Sequence, residues 1–263
     1  MRHLLHSLST LLLLAAATSA QGLGASPGNQ ASPGQTAIEK AASANKFALV
    51  FFWKERGAQT DKAWGDLQSA ARTANWAEIT AVQVTDPAEK QLVARYDLGR
   101  APMPLVLAIA PCGAVTKAFT SNITITETQL QSAYVSPCTQ LCLKAIQDRK
   151  LVMLCVIDRK DPYRPVAVPQ GVQDFKADGR FGPATEVVLV NATDEAESTL
   201  LQELQVNPRE SKPVTVLLAP PGSMVAKFDA GATKAQMVAR LAAAQSNPCA
   251  NGMCGPNGCG PKK

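Results

Sequence analysis

Histidine is almost missing from this chain. Of 263 residues only two are histidine, His3 and His6, and both stand at the extreme N-terminus. They fall in a segment that reads as removable, so the remaining chain has no Ser–His or Cys–His catalysis and no His-ligated metal site. Clustered positive charge is missing too. No block of five or more Lys/Arg occurs and the formal net charge is +5, so no nucleic-acid partner is expected. No apolar run reaches the roughly 20 residues a spanning helix needs, so no membrane span is expected. Seven cysteines are too few to scaffold a chain of this length. Its core must come from hydrophobic burial, for which 46% hydrophobic and 18% charged residues suffice. The length suits one or two domains.

Residues 1–20 have the layout of a secretory signal peptide. Arg2, His3 and His6 form a basic start, Leu8 to Ala17 a short apolar stretch, and Thr18-Ser19-Ala20 a small-residue cleavage site. A secreted or periplasmic location is therefore expected, in which disulfides persist. Residues 21–35 (GLGASPGNQASPGQ in their greater part) lack a hydrophobic period and read as a flexible linker. Residues 247–263 (NPCANGMCGPNGCGPKK) read as a Cys/Gly/Pro-rich flexible tail.

Between linker and tail, helical and strand patterns alternate, which predicts an α/β fold with helices on the faces of a mixed sheet. The pattern occurs twice. KFALVFFW from Lys46 matches KLVMLCVI from Lys150, each an apolar run of the kind buried on both faces of a sheet. PLVLAIAPCGAVTKAF from Pro104 matches PVTVLLAPPGSMVAKF from Pro213 without a gap. Helix starts recur as well: SP before Cys138, D-x-x-E at Asp86 and Asp194, and T-x-x-Q at Thr126 and Thr233. The expected order is α, β, α, β, α, β, β, α in each half, over residues 36–135 and 136–246.

Each half resembles a thioredoxin-fold domain. In that family an apolar strand ends in a Trp-containing corner with two cysteines two residues apart, and a cis-proline stands beside it. Here the corner runs from Trp53 to Thr60, and Gly57 and Thr60 hold the cysteine positions. Pro104 and Pro213 are the cis-proline candidates, with Pro102 competing in the first half. The second corner, Asp158 to Arg164, also lacks cysteine. The resemblance therefore implies the fold, and a groove that pairs with extended peptides, without the disulfide chemistry, which needs an attacking and a resolving thiol.

The cysteines stand elsewhere. Cys138 and Cys142 share one face of a helix whose expected cap is Ser136. Three readings compete: core packing along the apolar period, a disulfide or redox pair, and soft-metal binding to Cu or Zn. Cys138 in the first turn would have its thiol acidified by the helix dipole. Cys155 reads as a core residue. Cys112, in a hairpin turn, reads as exposed or paired, with Cys138 as candidate partner. Cys249, Cys254 and Cys259 are spaced five apart, which suits either a metal or disulfides but matches no zinc spacing. Two N-x-T sequences, at Asn122 and Asn191, are glycosylation acceptors in a eukaryotic secretory route.

These observations favour an exported, non-catalytic thioredoxin-like protein, without a cofactor, that binds protein or extended peptide or plays a structural part. The alternative is thiol–disulfide exchange or Cu/Zn binding through Cys138/Cys142 or the tail.

Overall fold

The computed structural model describes residues 31–120, 124–157, 168–207 and 213–246. The signal segment, most of the linker, the second corner, Lys212, Asn122 and the tail lie outside the described residues. From Ser32 on, the described residues belong to one compact unit.

The first helix, α1 (Pro33–Ser43), begins inside the stretch expected to be linker. The cause is local. The Ser32 side chain accepts the Gln35 N–H, and Pro33 takes the first turn, where its missing N–H costs nothing. SPGQ is a helix start that composition alone disguises.

Two four-stranded mixed sheets follow, each flanked by helices. In the first half come β1 (Phe47–Trp53), α2 (Ala58–Ala70), β2 (Ala77–Gln83), α3 (Lys90–Arg95), β3 (Leu105–Ile109), β4 (Val115–Thr120) and α4 (Glu127–Gln131). The second half has α5 (Pro137–Gln147), β5 (Leu151–Ile157), α6 (Gln170–Ala177) and β6 (Thr185–Asn191), then α7 (Ser198–Glu203), β7 (Val214–Ala219), β8 (Ser223–Asp229) and α8 (Lys234–Ser246). The sheets run β2-β1-β3-β4 and β6-β5-β7-β8. In each, the central strand pairs parallel on one side and antiparallel on the other. The order of elements is the one the repeat predicts, and the chain has the tandem thioredoxin-like architecture.

The correspondence extends to register. Ala48 pairs with Ile109 and Val152 with Leu218. Each hairpin has its irregularity at the same place, Ala108/Ile109 and Leu217/Leu218. Gly113 and Gly222 turn the two hairpins with φ of 84° and 129°, a region that glycine enters without steric cost.

Alternation in the central strands sorts the cores. Val50 and Phe52 face α1 and α3, where Ile38 and Leu92 meet them. Leu49 and Phe51 face α2 and α4, against Leu67 and Leu130. Burying a side chain such as Phe52 contributes about 1.5–3 kcal/mol. In the second half, Val152 and Leu154 pack with Leu200 and Leu201, while Met153 and Cys155 pack with Phe175 and Met237. Both T-x-x-Q starts are capping boxes: Thr126 with Gln129, and Thr233 with Gln236.

The halves meet where α5 lies along the outer edge of β4. The Gln147 amide accepts the Val115 N–H at 2.9 Å and donates to the Val115 carbonyl at 2.7 Å. Leu143 adds to a small apolar cluster around Phe47, Ala110 and Ala114. Among the described residues no helix is long and apolar enough to cross a membrane.

Candidate functional site

The corner of the first half is built by β1 running into α2. Trp53 ends the strand, and its carbonyl accepts the Val84 N–H at 2.9 Å. Gly57 precedes α2 in extended backbone and gives the helix no side-chain cap. Thr60 lies in the first turn, and its hydroxyl donates to the Glu55 carbonyl at 2.9 Å. That bond closes the corner on itself and commits the hydroxyl.

Beside the corner opens a cleft of ≈ 70 Å³, lined by Phe51, Trp53, Arg56, Thr60, Asp61 and Trp64, together with Ala81. No cysteine lines it. The Arg56 guanidinium lies 5.6 Å from the Trp53 ring centre, within cation–π range. Phe51 and Trp64 rings are 5.3 Å apart and tilted. Phe52 pairs with Leu105, so one further step along the sheet sets Trp53 opposite Pro104. The Met103–Pro104 peptide is cis, and Ala101–Pro102 is not among the cis bonds of the described residues. Met103 is half-buried, and its main-chain N–H and C=O make no hydrogen bond among the described residues. A second cis bond, Pro220–Pro221, falls in the β7–β8 turn. The peptide before Pro213 lies outside the described residues, because Lys212 does.

Cys138 and Cys142 do not form the acidified pair that their helix position suggested. Glu197 displaces that outcome. It sits in a short 3-10 turn, Glu195–Glu197, just before α7, is 2% exposed, and reaches the start of α5. There its carboxylate accepts the Cys138 N–H at 3.0 Å and the Ser136 hydroxyl. The positive end of the helix is therefore answered by a carboxylate, not by sulfur. Burial, then the Glu197 hydrogen bond and charge, push the Cys138 thiol up to about 12. Burial first and the same charge second push Cys142 up to about 12. Both thiols are free, and the Cys138 thiol donates to the Leu189 carbonyl at 3.4 Å.

The first half explains why. Glu89 is 4% exposed and does the same for α1, accepting the Gly34 N–H at 2.7 Å and the Ser32 hydroxyl. Cys138 stands where α1 has Gly34, and Cys142 stands where α1 has the core residue Ile38. Cys142 is 3% exposed and packs in the core cluster of the second half with Val188 and Leu201. Of the two readings of Cys112, exposed or paired with Cys138, the pairing is not formed: Cys112 is a free thiol, directed to the Gln140 carbonyl at 3.5 Å. Cys155 is buried at 1%. Asn191 closes a turn with Thr193 at the end of β6. No group of three or more metal-ligating side chains occurs among the described residues. Cys249, Cys254 and Cys259 lie outside them.

The two glutamates were legible as repeated letters but not as a pair of caps. D-x-x-E reads as a local capping box, and Asp86 and Asp194 do cap locally, accepting the Ala88 and Ala196 N–H. The glutamates instead serve a helix 55 and 59 residues away.

No protein-family model matches the chain, and no curated protein matches it. Solved structures with similarity to it include thioredoxin-domain proteins. One is an N-terminal domain of the alkylhydroperoxide reductase AhpF from Enterococcus faecalis, with 15% identity, 77% of this chain and 94% of that one covered, and a TM-score of 0.26. Another comprises the first two thioredoxin domains of Saccharomyces cerevisiae Eps1p, with 14% identity, 78% and 95% coverage, and a TM-score of 0.26. A third is the zinc-bound form of human ERp44, with 11% identity, 79% and 58% coverage, and a TM-score of 0.34. The fold itself stands on the strand order and registers given above.

Proposed function

We propose that this chain is an exported, redox-silent thioredoxin-like protein that binds extended polypeptide at the corner of its first half. The observation that carries the reading is the corner itself. Gly57 and Thr60 supply no sulfur, and the Thr60 hydroxyl is bound to Glu55, while an aromatic cleft opens at Trp53 and the Met103 backbone, before the cis-proline, is unpaired among the described residues. Main-chain pairing at Met103 would supply affinity, and the cleft between Trp53 and Trp64 would take one apolar side chain. The Cys138/Cys142 pair is poorly placed for disulfide exchange, because a thiol raised to about 12 is protonated at neutral pH and the thiolate is the nucleophile.

Binding is tested with unstructured peptides and the intrinsic fluorescence of the full chain. A peptide with one apolar side chain should change the emission, and Trp64→Ala should weaken binding about tenfold or more, a hot-spot loss. Equal affinity in that variant, or insulin reduction by the wild type that Cys138→Ser abolishes, would overturn the reading. The tail is the alternative seat of thiol or Cu/Zn chemistry, through Cys249, Cys254 and Cys259. A metal analysis and free-thiol count on the full chain separates that case. Sequencing the N-terminus of the exported product tests cleavage after Ala20.

A further inference from the structure

The two halves treat the same strand edge differently. At β4 the outward N–H and C=O of Val115 are both taken by the Gln147 amide, and α5 covers the edge. Met224 is the counterpart of Val115: each follows its hairpin turn, and each pairs with the residue just past the bulge, Leu218 and Ile109 respectively. The shared register turns the Met224 N–H and C=O outward as well. Among the described residues no group bonds them, and the Met224 side chain is 39% exposed.

A groove of ≈ 700 Å³ runs between β8 and α8. Gly231, Ala232, Ala239 and Ala243 are its small lining residues. Its charges are two cations, Lys227 and Arg240, against the single carboxylate of Asp229. The Lys227 ammonium is held by the Gln205 carbonyl at 2.9 Å, while the Arg240 guanidinium has no ion pair or hydrogen bond among the described residues. The net charge of the groove is therefore positive, and its Lys227 lies on the same strand as Met224, three residues on.

We propose that the outer edge of β8 is a docking strand for an extended, acidic polypeptide segment of a partner protein. The segment pairs with the Met224 main chain, as the Gln147 amide pairs with Val115, and places carboxylates against Arg240 and Lys227. This stands apart from binding at the first-half corner, since neither residues nor sheet are shared.

The probes are two synthetic peptides of about nine residues, the span of a long strand, one alternating valine with glutamate and the other valine with lysine. Anisotropy of the labelled peptides gives affinity for the full chain, and amide exchange reads the Met224 N–H. The acidic peptide should bind, protect that N–H and weaken with salt, and the lysine peptide should bind about tenfold more weakly or not at all. Met224→Pro removes an outward N–H that the sheet does not use, which edge strands tolerate. It should abolish binding of the acidic peptide and leave binding at the first-half corner intact. Arg240→Glu, on an exposed helix face, should reverse the preference between the peptides whether or not the proline variant folds. Four results would overturn the proposal: no binding of the acidic peptide, equal binding of both peptides, binding unchanged in a folded Met224→Pro protein, or self-association of the free chain through this edge.

Discussion

The carboxylate of Glu197 accepts the main-chain N–H of Cys138 at 3.0 Å, across 59 residues of sequence. This single contact caps α5 and ties α7 to it, and the same carboxylate adds to the burial that raises the neighbouring thiol. Glu197→Ala would leave the Ser136 hydroxyl and the Cys138 N–H without that partner, a loss of about 1–3 kcal/mol. Urea denaturation measures it. Glu197→Gln keeps an acceptor oxygen and should lose less. Both variants should alkylate faster at Cys138 than wild type, because the second and third causes of its raised pKa depend on Glu197. The rise is partial, since burial is the largest cause and remains.

The raised thiols set an alkaline limit. A thiol free in solution titrates at 9.0, and folding moves Cys138 and Cys142 to about 12. The neutral form is the one the fold favours, so the contribution is fully present below pH 9 and is lost as pH rises through the folded value. Melting temperature should therefore fall between about pH 9 and 12 more steeply in wild type than in Cys138→Ala. Other groups titrate in this window, so the difference between the two proteins is the measured quantity. Parallel curves would refute the buried, neutral assignment of Cys138.

The repeat carried most of the fold into the sequence. Apolar runs from Lys46 and Lys150 marked the two central strands, and proline-led hairpins marked their antiparallel partners. What stayed hidden was non-local. Glu89 and Glu197 look like local caps because their sequence neighbours do cap locally, and only the folded chain brings a helix start to each carboxylate. SPGQ looked like linker because Ser, Pro and Gly serve loops and helix starts alike. At the corner, the missing sulfur was legible, but the Thr60–Glu55 bond that closes it depends on the turn geometry.

Two glycines should respond to alanine with opposite sign. A Cβ on Gly171 would stand 2.0 Å from the Ala232 carbonyl oxygen, a main-chain atom that cannot rotate aside. Gly171→Ala should lose about 3 kcal/mol or more, because α6 must move away from the turn before α8. Gly65 lies within α2 with nothing within 4 Å of a built Cβ. Gly65→Ala should gain about 0.5–1 kcal/mol from helix propensity. Chemical denaturation of the pair checks both, and a stable Gly171→Ala protein would contradict the close approach of α6 to residue 232.

The last prediction concerns the junction of the halves. Gln147 meets Val115 with one donor and one acceptor, a match that a carboxamide makes and a carboxylate cannot. The pair is exposed, so water replaces it in Gln147→Ala and the loss should be about 0.5–1.5 kcal/mol. Gln147→Glu is nearly the same size, but its carboxylate cannot donate to the Val115 carbonyl and repels it. It should therefore loosen the junction more than alanine does. Global stability is the weaker readout, because each half has its own core on both faces of its sheet. Cooperativity is the stronger one: wild type should unfold in one transition followed by tryptophan fluorescence and by circular dichroism alike. All three tryptophans, Trp53, Trp64 and Trp76, belong to the first half. In Gln147→Glu the fluorescence transition should separate from the circular dichroism transition, which reports both halves. Coincident transitions in that variant would mean that the apolar contact of Leu143 with the cluster around Phe47, and not the amide pair, couples the two sheets.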